Sequence, residues 1–122
     1  MDPIPVLVVD YEPGIALLCK RILARAGFEV EALTDPREAV EWLAHNRAAL
    51  LLVDIRMPEI DGFEAARTIL GHDRDAIIVA LSADNMPETR IRAEETGMKE
   101  LLSKPVTVEE LRRVIDRYHK QE

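Results

Sequence analysis

The feature that most constrains this chain is a regular alternation between short apolar runs and longer segments with helical periodicity. Four runs rich in valine, isoleucine and leucine predict buried strands, and a fifth, Glu29–Leu33, alternates in polarity and predicts a strand nearer an edge. The four buried runs cover residues 6–9, 50–53, 77–81 and 100–103. Because strands and helices that alternate are joined by right-handed crossovers, we expect a parallel sheet with helices on both faces.

Side chains suited to capping mark where the helices begin and end. Asp35, Asp61 and Thr107 each precede a helical segment and are followed three residues later by glutamate, which predicts a helix N-terminus. Gly27 and Gly97 lie where two helices should end. The predicted architecture is an α/β, flavodoxin-like (βα)5 fold, doubly wound, with a parallel five-stranded sheet in the order 2-1-3-4-5.

The length and charge of the chain narrow the classes of function. With 122 residues and 48% hydrophobic side chains, we expect residues 1–122 to form a single domain without an output domain. A net charge of −7 argues against direct binding to nucleic acid or to an anionic membrane. The longest apolar runs are far shorter than the ~20 residues that span a bilayer. The segment that begins at Met1 lacks the features of a secretory signal, so we expect a cytoplasmic location. Cys19, the one cysteine, is predicted to be a core residue.

Polar side chains directly follow the four buried strands. They are Asp10, Asp54, Ser82 and Lys104. A single aspartate after a strand usually caps the next helix. The carboxyl ends of parallel strands, however, meet at one edge of the sheet, where ligands of open α/β folds bind. These residues together therefore predict one pocket that contains two carboxylates, a hydroxyl and an ammonium.

The segments around these residues resemble the successive signatures of response regulator receiver domains in bacterial two-component systems. The resemblance runs from the first strand to the last helix, and its most specific element is Asp-x-x-Met-Pro-x-x-Asp-Gly after an apolar strand. The segments are Val8-Val9-Asp10, Leu52-Val53-Asp54-Ile55-Arg56-Met57-Pro58-Glu59-Ile60-Asp61-Gly62, Leu81-Ser82-Ala83 and Ser103-Lys104-Pro105.

The resemblance implies a role for each of these polar residues. Asp54 matches the phosphoacceptor aspartate, Ser82 the switch hydroxyl, and Lys104 the lysine that pairs with the phosphoryl group. Pro105 would follow a cis peptide bond that helps to aim Lys104 into the site. The chemistry agrees with these roles, because attack of a carboxylate on a phosphoryl group requires mainly charge neutralisation and alignment.

The resemblance also implies a Mg²⁺ site. Asp10, Asp54 and the backbone carbonyl of Arg56 match its protein ligands, and oxygen ligands of this kind suit Mg²⁺. Receiver domains usually carry a second acid after the first, but this chain has Tyr11, whose neutral phenol cannot replace a carboxylate. Glu12 is a further candidate ligand, although the usual register points it away from the cluster, towards a capping or surface role. We therefore expect Mg²⁺ to bind weakly.

The function that follows is that of a phosphorelay receiver rather than an enzyme. Asp54 would accept a phosphoryl group from phosphohistidine on a histidine kinase or a histidine phosphotransfer domain. Phosphorylation would then rearrange the face formed by the fourth helix, the fifth strand and the fifth helix. This change would alter the affinity of the chain for a downstream protein or a fused output domain. The alternative is a receiver-like adaptor that binds partners without phosphorylation, because Tyr11 has weakened the metal site. A nucleotide- or flavin-binding enzyme is disfavoured, since residues 10–14 are acidic and contain one glycine.

Helix surfaces indicate where partners could bind. In receivers the first helix forms part of the surface that contacts the phosphohistidine protein, and Leu17 lies on its predicted solvent side. The fourth helix, Pro87–Thr96, has few apolar residues and so predicts a segment that shifts easily. Many receiver domains carry an aromatic residue three positions before the lysine, and its side chain moves with the switch hydroxyl. This chain has Leu101 at that position. Charges on the last helix suit either a homodimer or a monomer. The apolar positions expected to be buried on the first helix are Ile15, Leu18, Cys19 and Ile22.

Overall fold

The computed structural model describes residues 5–57 and 61–119; residues 58–60, part of the motif quoted above, lie outside this description. Within the described residues, no helix is long and apolar enough to cross a membrane. The strands are β1 (Pro5–Val9), β2 (Glu29–Leu33), β3 (Leu50–Asp54), β4 (Ile78–Ser82) and β5 (Glu100–Ser103). The helices are α1 (Pro13–Arg25), α2 (Pro36–Leu43), α3 (Gly62–His72), α4 (Pro87–Thr96) and α5 (Val108–His119).

The five strands form one parallel sheet in the order β2-β1-β3-β4-β5. This order confirms the predicted fold and the position of β2 at an edge. β3 and β4 each extend one residue further than predicted, to Asp54 and Ser82, because these residues still pair with Leu81 and Ser103. β4 also begins one residue later, at Ile78. The extra pairing fixes the main chain of two predicted site residues within the sheet.

The sheet separates two hydrophobic cores. Leu7 and Val9 pack with residues of α2, α3 and α4, whereas Val6 and Val8 pack with residues of α1 and α5. Cys19 lies in the second core with 0% exposure, as predicted. Burial raises the pKa of its thiol to about 11, so this cysteine is an inert packing residue at neutral pH.

The predicted capping residues are confirmed. The side chains of Asp35, Asp61 and Thr107 accept hydrogen bonds from main-chain N–H groups at 2.9, 2.8 and 3.1 Å. Gly97 ends α4 with φ of 104°, and Gly27 follows α1 with φ of 97°. Both conformations are left-handed and favour glycine. These local signals therefore fix where the helices of the fold begin and end.

The prediction for one residue of α1 is wrong. Leu18 is 44% exposed, and the buried residues of the helix are Ala16, Cys19 and Leu23. The buried face is centred near Cys19, so Leu18, about 100° away around the helix, lies at its border. Leu17, on the opposite side, is 47% exposed as expected. α1 therefore presents two adjacent exposed leucines rather than one.

α4 buries little of its surface, in agreement with its predicted sparse burial. Ala93 is its buried residue, and Ile91 is 52% exposed. The Arg92 guanidinium lies 4.2 Å from the centre of the Phe63 ring and 3.7 Å from Oδ2 of Asp61. One arginine thus links α4 to the first turn of α3.

Candidate functional site

The carboxyl ends of the strands bring the predicted polar residues to one edge of the sheet. Asp10 follows β1, Asp54 and Ser82 end β3 and β4, and Lys104 follows β5. The main-chain N–H of Lys104 donates to the Ser82 carbonyl at 2.7 Å, which ties the lysine to the end of β4. Asp10, Asp54 and Ser82 are 0%, 2% and 0% exposed. The edge is therefore a shielded site in which charges interact strongly.

The Lys104 ammonium lies between two buried carboxylates. Its Nζ is 3.0 Å from Oδ2 of Asp10 and 3.2 Å from Oδ2 of Asp54. Burial by itself would lower the pKa of Lys104, but the contacts with Asp10 and Asp54 outweigh it and raise the pKa. The ammonium is therefore charged at neutral pH. The peptide bond between Lys104 and Pro105 is cis, as the resemblance implied.

Main-chain N–H groups orient both carboxylates. Oδ1 of Asp10 accepts from the N–H of Glu12 at 2.9 Å, and Oδ1 of Asp54 accepts from the N–H of Arg56 at 3.0 Å. The N–H of Tyr11 also donates to Oδ2 of Asp54, at 3.4 Å. Oδ1 of each aspartate is thus turned to the main chain. Oδ2 of each faces Lys104, and in Asp54 it also accepts the longer bond from Tyr11.

Asp10 has a buried oxygen that suits a divalent cation. Its Oδ2 is met by the Lys104 ammonium at 3.0 Å and, among the described residues, by no main-chain N–H. Burial raises the pKa of Asp10, opposed by the N–H of Glu12 and by Lys104. A desolvated carboxylate oxygen with a free lone pair is a good ligand for a hard cation. Asp10 and Asp54 therefore fit Mg²⁺, with further oxygens drawn from the main chain and water.

The two residues after Asp10 differ in what they bring to the site. Tyr11 is 52% exposed and adds no carboxylate. The expectation that Glu12 points away from the cluster is wrong, because its Oε1 lies 3.4 Å from Nζ of Lys104. Glu12 occupies the N-cap position of α1 but its side chain makes no capping hydrogen bond, which leaves the carboxylate free to reach the ammonium. Among the described residues, no three His, Cys, Asp or Glu side chains form a group that could hold a metal ion.

Sequence reasoning missed the roles of two charged side chains near the site, those of Asp84 and Arg56. The Ser82 hydroxyl accepts from the N–H of Asp84 at 3.1 Å. Asp84 also pairs with the Arg56 guanidinium at 2.7 Å. Its pKa is lowered, first by the N–H of Met86 and then by Arg56. The position of Asp84, two residues after a strand-ending serine and just before α4, could have signalled its contact with the Ser82 hydroxyl.

The chain matches a known protein family over most of its length. The family model of the response regulator receiver domain matches residues 6–116. Response regulator MprA of Mycolicibacterium vanbaalenii is 32% identical over 109 residues, which are 89% of this chain and 47% of MprA. The chain therefore spans about half the length of the curated relatives it matches.

Solved structures of the same family share the fold. Chemotaxis protein CheY4 of Vibrio cholerae is 28% identical with a TM-score of 0.91, over 95% of this chain and 98% of CheY4. The receiver domain of sensor histidine kinase PA1611 from Pseudomonas aeruginosa is also 28% identical, with a TM-score of 0.89, over 98% of this chain and 99% of that one. That structure has a magnesium ion coordinated in its active site cleft. By sequence and by structure, the chain belongs to the response regulator receiver domains of two-component signalling.

Proposed function

We propose that Asp54 is the phosphoacceptor of this receiver domain. The observation that carries the proposal is the position of Lys104, whose ammonium lies 3.2 Å from the Asp54 carboxylate within a buried, acidic edge of the sheet. An ammonium held there can neutralise the negative charge that an arriving phosphoryl group would add. An aspartate that only capped a helix would not need a buried lysine beside it.

The proposed reaction is phosphoryl transfer from a phosphohistidine. An oxygen of the Asp54 carboxylate attacks phosphorus, the phosphorus–nitrogen bond breaks, and its electron pair returns to the imidazole of the donor. The product is an aspartyl phosphate on this chain. Lys104 would pair with the phosphoryl oxygens, and Ser82 would turn its hydroxyl to donate to one of them. The donor is a histidine kinase or a histidine phosphotransfer domain.

Asp10, Asp54 and the backbone carbonyl of Arg56 would hold Mg²⁺. Bound Mg²⁺ would supply charge neutralisation of the phosphoryl oxygens. The magnesium ion in the cleft of the PA1611 receiver supports this assignment. Because Tyr11 supplies no carboxylate, the affinity of the native chain for Mg²⁺ should be weak. Tyr11→Asp should bind Mg²⁺ at least about tenfold more tightly, which corresponds to about 1.4 kcal/mol of binding free energy. An NMR titration of both chains with Mg²⁺ measures this ratio, and equal affinities would remove the assigned role of Tyr11.

Phosphorylation would act through Ser82 and α4. Ser82 accepts a hydrogen bond from Asp84, which leads directly into α4, a helix with one buried residue among those described. A hydroxyl that turned towards a phosphoryl group would release this contact, and a weakly packed helix could follow. The partner that detects the change would be a separate protein or a fused output domain.

A receiver-like adaptor that works without phosphorylation is the second candidate, and the exposed Tyr11 in place of an acid is the observation in its favour. Beryllofluoride, which mimics a phosphoryl group on aspartate, separates the two. Titration in the presence of Mg²⁺, followed by amide NMR, should shift the signals of Ser82 and α4 in the native chain. Asp54→Asn is the matched control and should not respond. If the native chain also fails to respond, the adaptor is favoured and the phosphoacceptor proposal is contradicted.

A further inference from the structure

The Arg92 guanidinium reaches from α4 to the start of α3. It lies 4.2 Å from the centre of the Phe63 ring and 3.7 Å from Oδ2 of Asp61. Glu88 stands one turn earlier in α4, at the spacing at which a glutamate commonly pairs with an arginine. The ion pair of Arg92 is nevertheless made with Asp61, outside its own helix. We call the contacts of Arg92 with Phe63 and Asp61 the Arg92 clasp.

The residues that the Arg92 clasp holds are themselves well anchored. Asp61 caps α3, because its Oδ1 accepts from the N–H of Glu64 at 2.8 Å. The N–H of Gly62 donates to the Ile55 carbonyl at 3.2 Å, which ties the start of α3 to the end of β3. Phe63 is 5% exposed and belongs to the hydrophobic core. The clasp therefore joins α4 to a rigid part of the molecule.

α4 itself has few contacts that hold it in place. Ala93 is its buried residue and brings a single methyl group to the core, whereas Ile91 is 52% exposed. The start of the helix is tied by Asp84, which pairs with Arg56 and accepts from the N–H of Met86. A cation–π contact at a half-exposed site stabilises about as much as the burial of one methyl group. The Arg92 clasp is therefore a large share of what holds α4.

We propose that Arg92 is a positioning residue that holds α4 against α3 in the unmodified chain, and that α4 moves when the Arg92 clasp opens. This inference rests on the proposed route from Ser82 to α4 and adds the restraint that the movement has to overcome. Release of the Ser82 contact frees only the start of the helix, because Arg92 lies more than one turn further along. The strength of the clasp therefore sets how readily α4 responds to the site.

Hydrogen exchange of the α4 amides, followed by NMR in the native chain and in Arg92→Met, tests the inference. In the native chain these amides should exchange before those of β1 and β3, because α4 opens by itself. Arg92→Met keeps a long side chain but removes the guanidinium. It should speed the exchange of the α4 amides about fivefold, which corresponds to about 1 kcal/mol. Equal exchange rates in the two chains would overturn the inference.

Arg90→Met is the matched control. Arg90 is exposed, lies in the same helix and makes no ion pair with the described residues. Its substitution removes the same charge and should change the exchange less than about twofold. An equal gain in Arg90→Met would contradict the inference, because the loss of any positive charge on α4 would then have the same effect.

A double-mutant cycle isolates the contact between Arg92 and Phe63. Phe63→Leu keeps an apolar side chain in the core but removes the ring that the guanidinium covers. In a Phe63→Leu background, Arg92→Met should speed the exchange of the α4 amides only about twofold, since the ion pair with Asp61 is then the contact that is lost. A full fivefold gain in that background would show that the clasp does not act through the ring.

The positions of the amide signals separate a positioning role from a merely structural one. Without a phosphoryl mimic, the α4 signals of Arg92→Met should be displaced towards the positions that beryllofluoride and Mg²⁺ produce in the native chain. Displacement in an unrelated direction would contradict the inference. A native chain that does not respond to beryllofluoride would contradict the proposed phosphoacceptor function. The exchange measurement needs no phosphoryl group, so it decides by itself whether the Arg92 clasp holds α4.

Discussion

Gly62 supports the site through the absence of a side chain, and Gly62→Ala should therefore be strongly destabilising. A Cβ at this position would lie 2.5 Å from Cα of Ile55 and 2.9 Å from the carbonyl carbon of Asp54, and it would overlap the Asp54 carbonyl oxygen as well. Ordinary contacts of a Cβ begin at 3.4 Å. The obstructing atoms are main-chain atoms at the end of β3, which is paired on both sides by β1 and β4, so they cannot move away cheaply.

The size of the effect follows from two opposing contributions. Overpacking against well-ordered atoms costs about 1–3 kcal/mol and sometimes more, and three overlaps with fixed main chain place Gly62→Ala at about 3 kcal/mol. Alanine regains at most about 0.5–1 kcal/mol over glycine, because that gain holds for a helix interior and Gly62 is the first residue of α3. We therefore expect the free energy of unfolding to fall by about 2 kcal/mol or more.

Gly71→Ala is the matched control because Gly71 lies in the same helix, is exposed and has no atom within 4 Å of its added Cβ. It should raise the free energy of unfolding by about 0.5–1 kcal/mol through helix propensity alone. Urea unfolding of both variants, followed by circular dichroism, compares them. If Gly62→Ala and Gly71→Ala had equal free energies of unfolding, the close approach of α3 to the end of β3 would not be rigid and the reasoning would be refuted.

Two further predictions concern α5 and its contacts. Thr107→Ala removes the hydrogen bond that the Thr107 hydroxyl accepts from the N–H of Glu110, so urea unfolding should show a loss of about 1 kcal/mol. Glu100 has a lowered pKa, because Arg113 and Tyr118 outweigh the opposing effect of burial. The stability it contributes is present above the unfolded pKa of a glutamate and is lost as pH falls through the lowered pKa of the folded protein. Urea unfolding between about pH 6 and pH 3 should therefore show a smaller acid loss for Glu100→Gln than for the native chain; a steeper loss would contradict this sign.

Much of the fold could be predicted because its signals are local. Apolar runs locate strands that are covered on both faces, and cap residues such as Asp35 and Thr107 locate helix ends. The order of the strands was expected from the common flavodoxin-like arrangement of five alternating strands, and the handedness of the crossovers places helices on both faces. Leu18 was assigned to the wrong side because helical periodicity gives the direction of a face but not its width, which depends on the neighbouring elements.

The candidate site could be predicted less completely. Strand ends place Asp10, Asp54 and Lys104 at one edge regardless of their side-chain conformations. The conformation of a long side chain, by contrast, depends on a balance of charges across loops distant in sequence. Glu12 turns to Lys104, 92 residues away, and Arg56 to Asp84, 28 residues away. Neither contact follows from periodicity or spacing.

The proposed acceptance of a phosphoryl group by Asp54 can be measured by intact mass spectrometry. Phosphoramidate, whose phosphorus–nitrogen bond resembles that of phosphohistidine, would be added with Mg²⁺ to the native chain and to Asp54→Asn. We expect the native chain to gain the mass of one phosphoryl group, and Asp54→Asn to gain none. An unmodified native chain at high Mg²⁺, or equal modification of Asp54→Asn, would contradict the assignment of Asp54 as phosphoacceptor.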